Sequence, residues 1–562
     1  MSSIQTYNCR GIVYVRIVES YRDPVTKKPK VRVLKNLGRA DVLEAENPGF
    51  IEKMKAELQE SRNLNEKLKQ EAIFSEIQEL LQAGSPIGNG FPIKNYGVKV
   101  YTDIWKELKL DYFFDYRQSM NSKIQFKVKD IASLLVYSRL LNPQSKKKTY
   151  EGKEQFINTK NFGLEQVYRT LSFLSETKEH LEKHLNKRLS KIMDRNLAVA
   201  FYDVTTYYFE SVTADDLKNF GFSKDNKVNQ VQVVMGLLID DQGIPISYEL
   251  FPGNINDFKT LIPVMRYLKD SYGINKIIIT ADRGLNSKKN LAFLKSIGFE
   301  YVMAYKIRSA SKKVKELVLD KEGYTYINPG FKWKACEFIN SVDVNGEKMI
   351  LDDNMIITWS ADRAEKDKRD RERLIKKSKK LVESKSTLKA EMKKGGKKYL
   401  QLSFFDSDSI SFNEKQVEID EQFDGYYGIE TSDKSLSPQK VIDIYHGLWK
   451  IEESFRVLKS NLEARPIFVW TEASIRGHFV LCYLALVIER YLEYKLKQRN
   501  TFISTEKIQE ALNSAKITVI KKPGSNKEYF LKNQSNDDYE IIEKALGMRS
   551  IPQYGKIEEV LV

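Results

Sequence analysis

The chain is poor in the residues that nucleophilic and zinc enzymes depend on. It holds three cysteines and four histidines in 562 residues. Cys9, Cys336 and Cys482 are odd in number, far apart and form no CxxC. That pattern excludes a disulfide framework and suits a reducing compartment, so a cytoplasmic protein is expected. His180 and His184 have the i, i+4 spacing of a helical zinc pair, but Leu181 stands where HExxH requires glutamate. Ordinary helix-surface histidines explain them better than metal ligands. No GxxxxGK[ST] occurs, which argues against a P-loop nucleotide hydrolase, and no GxSxG, which argues against an α/β hydrolase. A haloacid-dehalogenase-like phosphatase would need a second aspartate two residues after the first. Thr205 holds that place after Asp203. Long apolar runs are also missing. The longest, residues 479–488, is about half of the roughly 20 residues that a bilayer span requires. It reads as a buried core helix, and no membrane partner is expected. The opening MSSIQTYNCRG has no apolar signal region, so secretion is not expected either.

Positive charge, by contrast, is abundant. Lysine and arginine number 92 against 76 aspartates and glutamates, a net charge of +16. Such an excess points to a polyanionic partner. The 41% hydrophobic content is ordinary and sufficient for sizeable cores. The length suggests about two to four domains.

Residues 1–92 read as an N-terminal β-hairpin and helix, a candidate DNA-binding region. Two alternating apolar runs within 11–39 flank a Pro- and Lys-rich turn, and residues 45–83 are charged and helix-favouring. GSPIGNGFP at 84–92 is a linker by its glycine and proline content. Residues 93–195 read as several helices for DNA binding or assembly, with apolar residues at three- and four-residue spacing. Lys146, Lys147, Lys148, Arg169, Lys187, Arg188 and Lys191 stud them. A solvated face or a DNA-contacting face both fit that pattern.

Residues 196–308 change character. Their runs predict β-β-β-α-β-α-β, a mixed sheet with helices packed on it. Residues 309–435 read as a β-containing insertion domain with one highly charged helix, since so long a segment with structure of its own is no loop. QVEIDEQFDGYYGIETS within it reads as strand. Residues 436–498 return to apolar-rich helix. Residues 499–562 form a C-terminal region from which no role can be read. The expected class is therefore α/β and multidomain.

Three acids stand in settings that suit chemistry. Asp203 lies in AVAFYDVTTYYFE, and Asp282 follows KIIITA at the carboxyl end of a strand. Ligands bind at that end in many α/β sheets, and a buried strand ending in a carboxylate is costly without a partner. Plainer readings remain open: a hydrogen-bonded structural aspartate, or one that starts a turn. Glu452 lies on a patterned helix with Tyr445 and Lys459 seven residues to either side. Seven residues is nearly two helical turns, so the three share a stripe, joined by Arg456. Phenol, carboxylate, guanidinium and ammonium in a row suit a phosphodiester. Taken by itself, an exposed helix with i, i+4 salt bridges explains that row as well. Two or three carboxylates suffice to hold Mg²⁺, which needs no catalytic His, Cys or Ser beside it.

The blocks YDVTT, ITADRGLNS and YHGLWKIEESFRVLK resemble, in that order, those of the DDE transposases of bacterial insertion sequences. The group resembled carries a Tyr-x2-Arg-x3-Glu-x6-Lys signature. Arg465-Pro466, His478 and FDGYYGIETSD also look like that family. The resemblance covers roughly residues 10–495. It implies an RNase H-like catalytic core. It implies catalytic and metal-holding roles for Asp203, Asp282 and Glu452, with two Mg²⁺ ions, or Mn²⁺, as cofactor. Tyr445 and Lys459, with Arg456, would contact DNA. It further implies terminal inverted repeats and target DNA as double-stranded partners, and a homodimer or higher assembly. The signature arginine should fall at 448, where this chain has Leu448. Two other functions share the same acids: a metal-dependent, structure-selective nuclease, and an inactive transposase that only binds DNA.

Overall fold

The structure, a computed structural model, describes residues 2–23, 28–82, 91–121, 124–157, 159–221, 229–272, 277–344, 346–383, 398–402, 410–522 and 524–560. The chain divides into two units. The first is Met1–Tyr96, Ala515–Ser535 and Arg549–Val562; the second is Gly97–Ser514 and Asn536–Met548.

In the first unit, β1 (Ser2–Cys9), β2 (Ile12–Arg22) and β3 (Pro29–Arg39) form an antiparallel sheet in that order. The expected hairpin is β2–β3, and the turn residues 24–27 lie outside the described residues. Arg10 and Gly11 both take positive φ, which lets two residues reverse the chain between β1 and β2. The helix Phe50–Gln82 follows, then the short β4 (Ile93–Asn95). Most of the expected linker, residues 83–90, lies outside the described residues.

The second unit is built on one large mixed sheet. Its first part has β5 (Val199–Tyr208), β6 (Gln232–Asp240), β7 (Pro245–Pro252), β8 (Ile278–Ala281) and β9 (Glu300–Tyr305). The helices Leu261–Tyr272 and Lys288–Ser296 fall between them as the apolar patterning predicts. Next come β10 (Thr325–Asn328), β11 (Phe331–Val344), β12 (Glu347–Ser360), the small hairpin β13 (Leu400–Leu402) and β14 (Ile410–Phe412), and β15 (Tyr426–Thr431). The sheet order is β10-β11-β12-β15-β9-β8-β5-β6-β7. The pairs β5–β8 and β8–β9 are parallel; the other pairs are antiparallel.

Of the strands expected in a separate insertion, β10, β11, β12 and β15 lengthen the main sheet, while β13 and β14 form a hairpin of their own. The physical reason is coverage of both faces. Met355 and Ile357 of β12 pack with Ile307, Val314 and Phe338, while Ile356 packs with Val302, Ile429 and Val441. QVEIDEQ is also not strand. Asn413 accepts a hydrogen bond from the Gln416 amide at 3.0 Å and caps the helix Glu414–Glu421.

Side chains of β5 alternate between two layers. Tyr202 and Val204 join the core under the helices Leu261–Tyr272 and Lys288–Ser296. Val199 packs on the opposite face, with Ile278, Val302 and residues 441–445 of the helix Pro438–His446. The helices Val98–Glu107, Leu110–Ser119, Val128–Leu141 and Leu164–Ile192 gather with the helix Glu472–Lys497. The apolar run 479–488 is wholly buried in the last of these. No helix among the described residues is long and apolar enough to cross a membrane. At Gly477 an added Cβ would stand 2.0 Å from the Leu171 carbonyl, so two long helices cross there at backbone contact.

Two of the basic residues expected on a helical surface are committed inside. Lys146 is 7% exposed, with its Nζ 2.7 Å from His478 Nδ1. Arg188 donates to the Glu107 carbonyl at 2.8 Å. His184 likewise bonds the Leu108 carbonyl at 2.9 Å. After the helix Thr505–Ser514, β16 (Lys516–Lys521), β17 (Glu528–Lys532) and β18 (Tyr554–Lys556) join β4 in the order β18-β17-β16-β4. Ile520, Tyr529 and Ile77 share a small core. The tail thus completes the first unit.

Burial sets a pH dependence. The Tyr101 hydroxyl donates at 2.8 Å to Glu489, which burial and the neighbouring charge of Glu493 push up to about 8. A carboxyl raised in the folded state is neutral there while the unfolded chain is already ionised. The protein therefore loses stability as pH rises from the ordinary carboxylate range to about 8, and loses no more beyond it. Glu489→Gln keeps an acceptor for Tyr101 without the charge. Thermal melts from pH 5 to 9 should show its advantage over the parent growing up to about pH 8 and then levelling off. A constant difference across that range would contradict this account.

Candidate active site

The site begins with a strand register. β5 and β8 run parallel, with Tyr202 paired to Ala281. Asp203 and Asp282 each follow one residue beyond the last pair of that ladder. Period-2 alternation puts Phe201, Asp203, Thr205 and Tyr207 on one face of β5. The residues flanking Asp203 show what covers that face. An added Cβ on Gly447 would stand 2.5 Å from the Phe201 ring, and Lys450 Nζ is 5.7 Å from that ring's centre. The Tyr207 ring meets Phe479 at 5.1 Å, and Lys459 Nζ stands 5.7 Å from its centre. Asp203 lies between these contacts and so faces the segment 447–459, which carries Glu452. Its own Oδ1 accepts from the Val204 amide at 2.7 Å.

That segment is not the single helix the seven-residue spacing predicts. The helix Pro438–His446 ends at Gly447, the helix Trp449–Arg456 begins after Leu448, and Val457–Asn461 winds as a π-helix. A π turn holds more residues than an α turn, so Lys459 leaves the stripe of Tyr445 and Glu452. It stands over Tyr207 instead. Arg456 is engaged elsewhere. Its Nη2 lies 2.5 Å from Glu453, and the pair holds the Glu453 carboxyl below its ordinary range. Leu448, at the signature arginine position, is 7% exposed and faces inward.

Asp282, Glu452, Tyr445 and Leu448 line one cavity of about 530 Å³. Asp203 does not line it but adjoins Asp282 through the register. The Tyr445 and Tyr427 hydroxyls are hydrogen-bonded to each other, and burial pushes both phenols up, with the Asp282 charge adding to it. Three cations that the sequence reading missed also line this cavity: Arg283, Arg363 and Lys366. Arg283 adjoins Asp282 in the second block. Arg363 and Lys366 are three apart on the helix Ala361–Glu383, and that i, i+3 spacing was the one available signal.

The donors in this region are carboxylate oxygens, the kind that hard divalent cations prefer. Among the described residues, no three His, Cys, Asp or Glu side chains are grouped closely enough to hold an ion. Asp282 and Glu452 thus border the cavity, with Asp203 outside its lining, and no closed cage forms among them. Mg²⁺ keeps several waters and takes one or two carboxylates, so an open site of this composition still fits it.

A family model described as the transposase DDE domain matches residues 200–488, more than half of the chain. The chain belongs to the DDE transposases. A second model, the N-terminal domain of IS1634 family transposases, matches residues 3–72. This is therefore a transposase of a bacterial insertion sequence and an enzyme, of a class that depends on divalent cations. Two solved structures show weak likeness. One is a piggyBac transposase synaptic complex with hairpin DNA, 9% identical over 74% of this chain and 79% of that one, with a TM-score of 0.34. The other is a Mos1 transposase paired-end complex with the left transposon end, 15% identical over 30% of this chain and 57% of that one, with a TM-score of 0.14. No curated protein matches the transposase.

The contact of Gly447 with Phe201 can be tested. Gly447→Ala forces the Phe201 ring aside, an overpacking that costs about 1–3 kcal/mol. It also moves the Glu452 helix from β5, and misplacement by about 1 Å lowers rates by up to about a hundredfold. Transposition of a marked element should fall accordingly, and Gly447→Ala with Phe201→Leu should recover it. A Gly447→Ala protein as active and as stable as the parent would show that this contact does not set the helix.

Proposed function

We propose that the transposase binds the terminal inverted repeats of its element, cleaves the DNA there by metal-dependent phosphodiester hydrolysis, and joins the 3′-OH ends to target DNA. The observation that carries this reading is the pairing of β5 with β8. It brings Asp203, within β5, towards Asp282, one residue past the end of β8, on the face that the Glu452 helix covers. The antiparallel meander β5-β6-β7, followed by β8 and β9 with helices between, agrees with an RNase H-like core. The strands β10, β11, β12 and β15 then continue that core as one sheet.

In this reading Asp203, Asp282 and Glu452 hold the cation, Mg²⁺ or in its place Mn²⁺. When bound, it would neutralise charge on the attacking and leaving oxygens. The remaining work falls to the chain's own groups. A water oxygen attacks the phosphorus at the element end, a P–O bond to the 3′ oxygen breaks, and the proton shed by the water passes to solvent. The freed 3′-OH then attacks a target phosphodiester in the same manner. Arg283 and Lys366 offset the charge of the phosphate in the cavity. Tyr445, fixed by Tyr427, and Lys459, on the Asp203 side, position the backbone. Arg456 reaches DNA by exchanging Glu453 for a phosphate. The N-terminal unit reads the repeats, and the protein works as a dimer or higher assembly on double-stranded DNA in the bacterial cytoplasm.

The test is nicking of a labelled duplex that carries the element's ends, with Mg²⁺ present. Asp203→Asn, Asp282→Asn and Glu452→Gln should each lower the rate on the order of a thousandfold, about 4 kcal/mol of transition-state stabilisation, while DNA binding persists. An Asp203→Asn protein that cuts like the parent would remove Asp203 from the site. Cleavage without joined products in a strand-transfer assay would turn the reading to a nuclease.

A further inference from the structure

A second cavity of about 650 Å³ adjoins the one that holds Asp282 and Glu452. The two share Arg283, Arg363, Lys366 and Tyr427. Seven lysines and arginines line the larger chamber, against three aspartates. Several of these cations are already committed. Arg308 is paired with Asp367 and Asp424, Arg371 with Glu421 and Asp424, and Lys398 with Asp420.

Arg363 is held differently. Its guanidinium carbon stands 4.4 Å from the centre of the Tyr427 ring, and Tyr427 is itself fixed by Tyr445. The guanidinium is therefore oriented by stacking, with the Asp367 carboxylate at the margin of ion-pair distance. Its Nε is buried and has no hydrogen-bond partner. The Asp367 carboxylate is 3.9 Å away and already accepts from Arg308 Nη2 at 3.4 Å and the Gly425 amide at 3.2 Å. The Arg363 side chain is 40% exposed, so a ligand can reach it. The guanidinium nitrogens other than the buried Nε present a planar edge that matches two oxygens of one phosphate.

We propose that Arg363 grips a backbone phosphate of the DNA strand that enters the acid cavity, and that the adjoining cationic chamber carries the strand's neighbouring phosphates. This rests on the reading of the transposase as a DNA-cleaving enzyme. It assigns to the helix Ala361–Glu383 the phosphate contact for which Leu448 has no charge. A backbone is the occupant that the lining favours, because the excess cations extend from one cavity into the next through shared residues.

The test uses the full chain with Asp203→Asn added, so that nothing is cut, on a duplex carrying the element's ends. Phosphate-ethylation interference reads each backbone contact, and the salt dependence of binding reads the number of phosphates neutralised. The parent should show interference at a phosphate beside the cleavage position. Arg363→Ala should lose that one interference, and its log–log salt slope should fall by about 0.9, the value for one phosphate. Arg363→Met keeps the stack on Tyr427 without the charge, and should show the same loss even if the alanine variant folds poorly. Arg373, 81% exposed on the same helix and outside both cavities, is the control for net charge. An interference pattern unchanged in both Arg363 variants would overturn the proposal, and so would Arg373→Ala losing the same phosphate. A protein that shows the contact, yet whose Asp203-intact form never cuts, would overturn the catalytic reading alone.

Discussion

The parallel pairing of β5 with β8 is the constraint on which the rest depends. It sets Asp203 and Asp282 on adjacent strands, whose backbones lie about 4.8 Å apart by sheet geometry. Such a pair persists only if the strands cannot slip. They cannot, because Ala200, Tyr202, Ile279 and Ala281 are each 0% exposed, and a shift of one residue would turn these side chains to the wrong face. The sheet therefore fixes where the two aspartates stand along their strands.

The third acid is set by packing at both ends of its segment. At the start, Gly447 lets the chain pass against the Phe201 ring of β5. At the end, the carbonyls of Leu462 and Glu463 accept from Arg139 at 3.0 and 2.9 Å, and Ala464 is 3.0 Å from His478 Nε2. Backbone acceptors leaving a helix inside a core need such partners. Burial holds both His478 and Lys146 well below their ordinary values. A polar cluster at this depth opposes stability on its own account. Its return is a fixed exit for the π turn that carries Lys459, so the helical region serves the site through the loop it anchors.

Much of this was legible in the sequence, for local reasons. The strands β5 to β9 and their helices follow from apolar runs bounded by turn residues, and Asp203 and Asp282 stand out as charges within or just after such runs. What was not legible is non-local. The residues of β10 to β12 and β15 read equally well as a separate domain, because composition does not reveal which sheet edge a strand joins. The pairing of β16 with β4 spans most of the chain and leaves no mark in either segment. The stripe through Tyr445, Glu452 and Lys459 assumed one uninterrupted helix, and the break at Gly447 and the π turn undo that phase. Arg363 was hidden for the opposite reason. Its helix looks like solvated surface, and only the fold turns one edge of it toward Asp282.

That edge explains how leucine can hold position 448. The residue sits between two helices, 7% exposed, at the wall of the cavity that Asp282 and Glu452 also line. The positive charge on the cavity comes instead through the sheet. From Asp282 at the end of β8 the ladder runs to β9, then β15, then β12, with Thr358 paired to Tyr427 and Trp359 to Tyr426. The Ser360 amide donates to Gly425 at 3.1 Å and the Ala361 amide to Gly330 at 2.9 Å, which fixes the first turn of the next helix. Arg363 is therefore registered to Asp282 by continuous backbone hydrogen bonding, not by the docking of a mobile domain. A sheet that had stopped at β9 would keep the acids and Arg283 but lose Arg363 and Lys366.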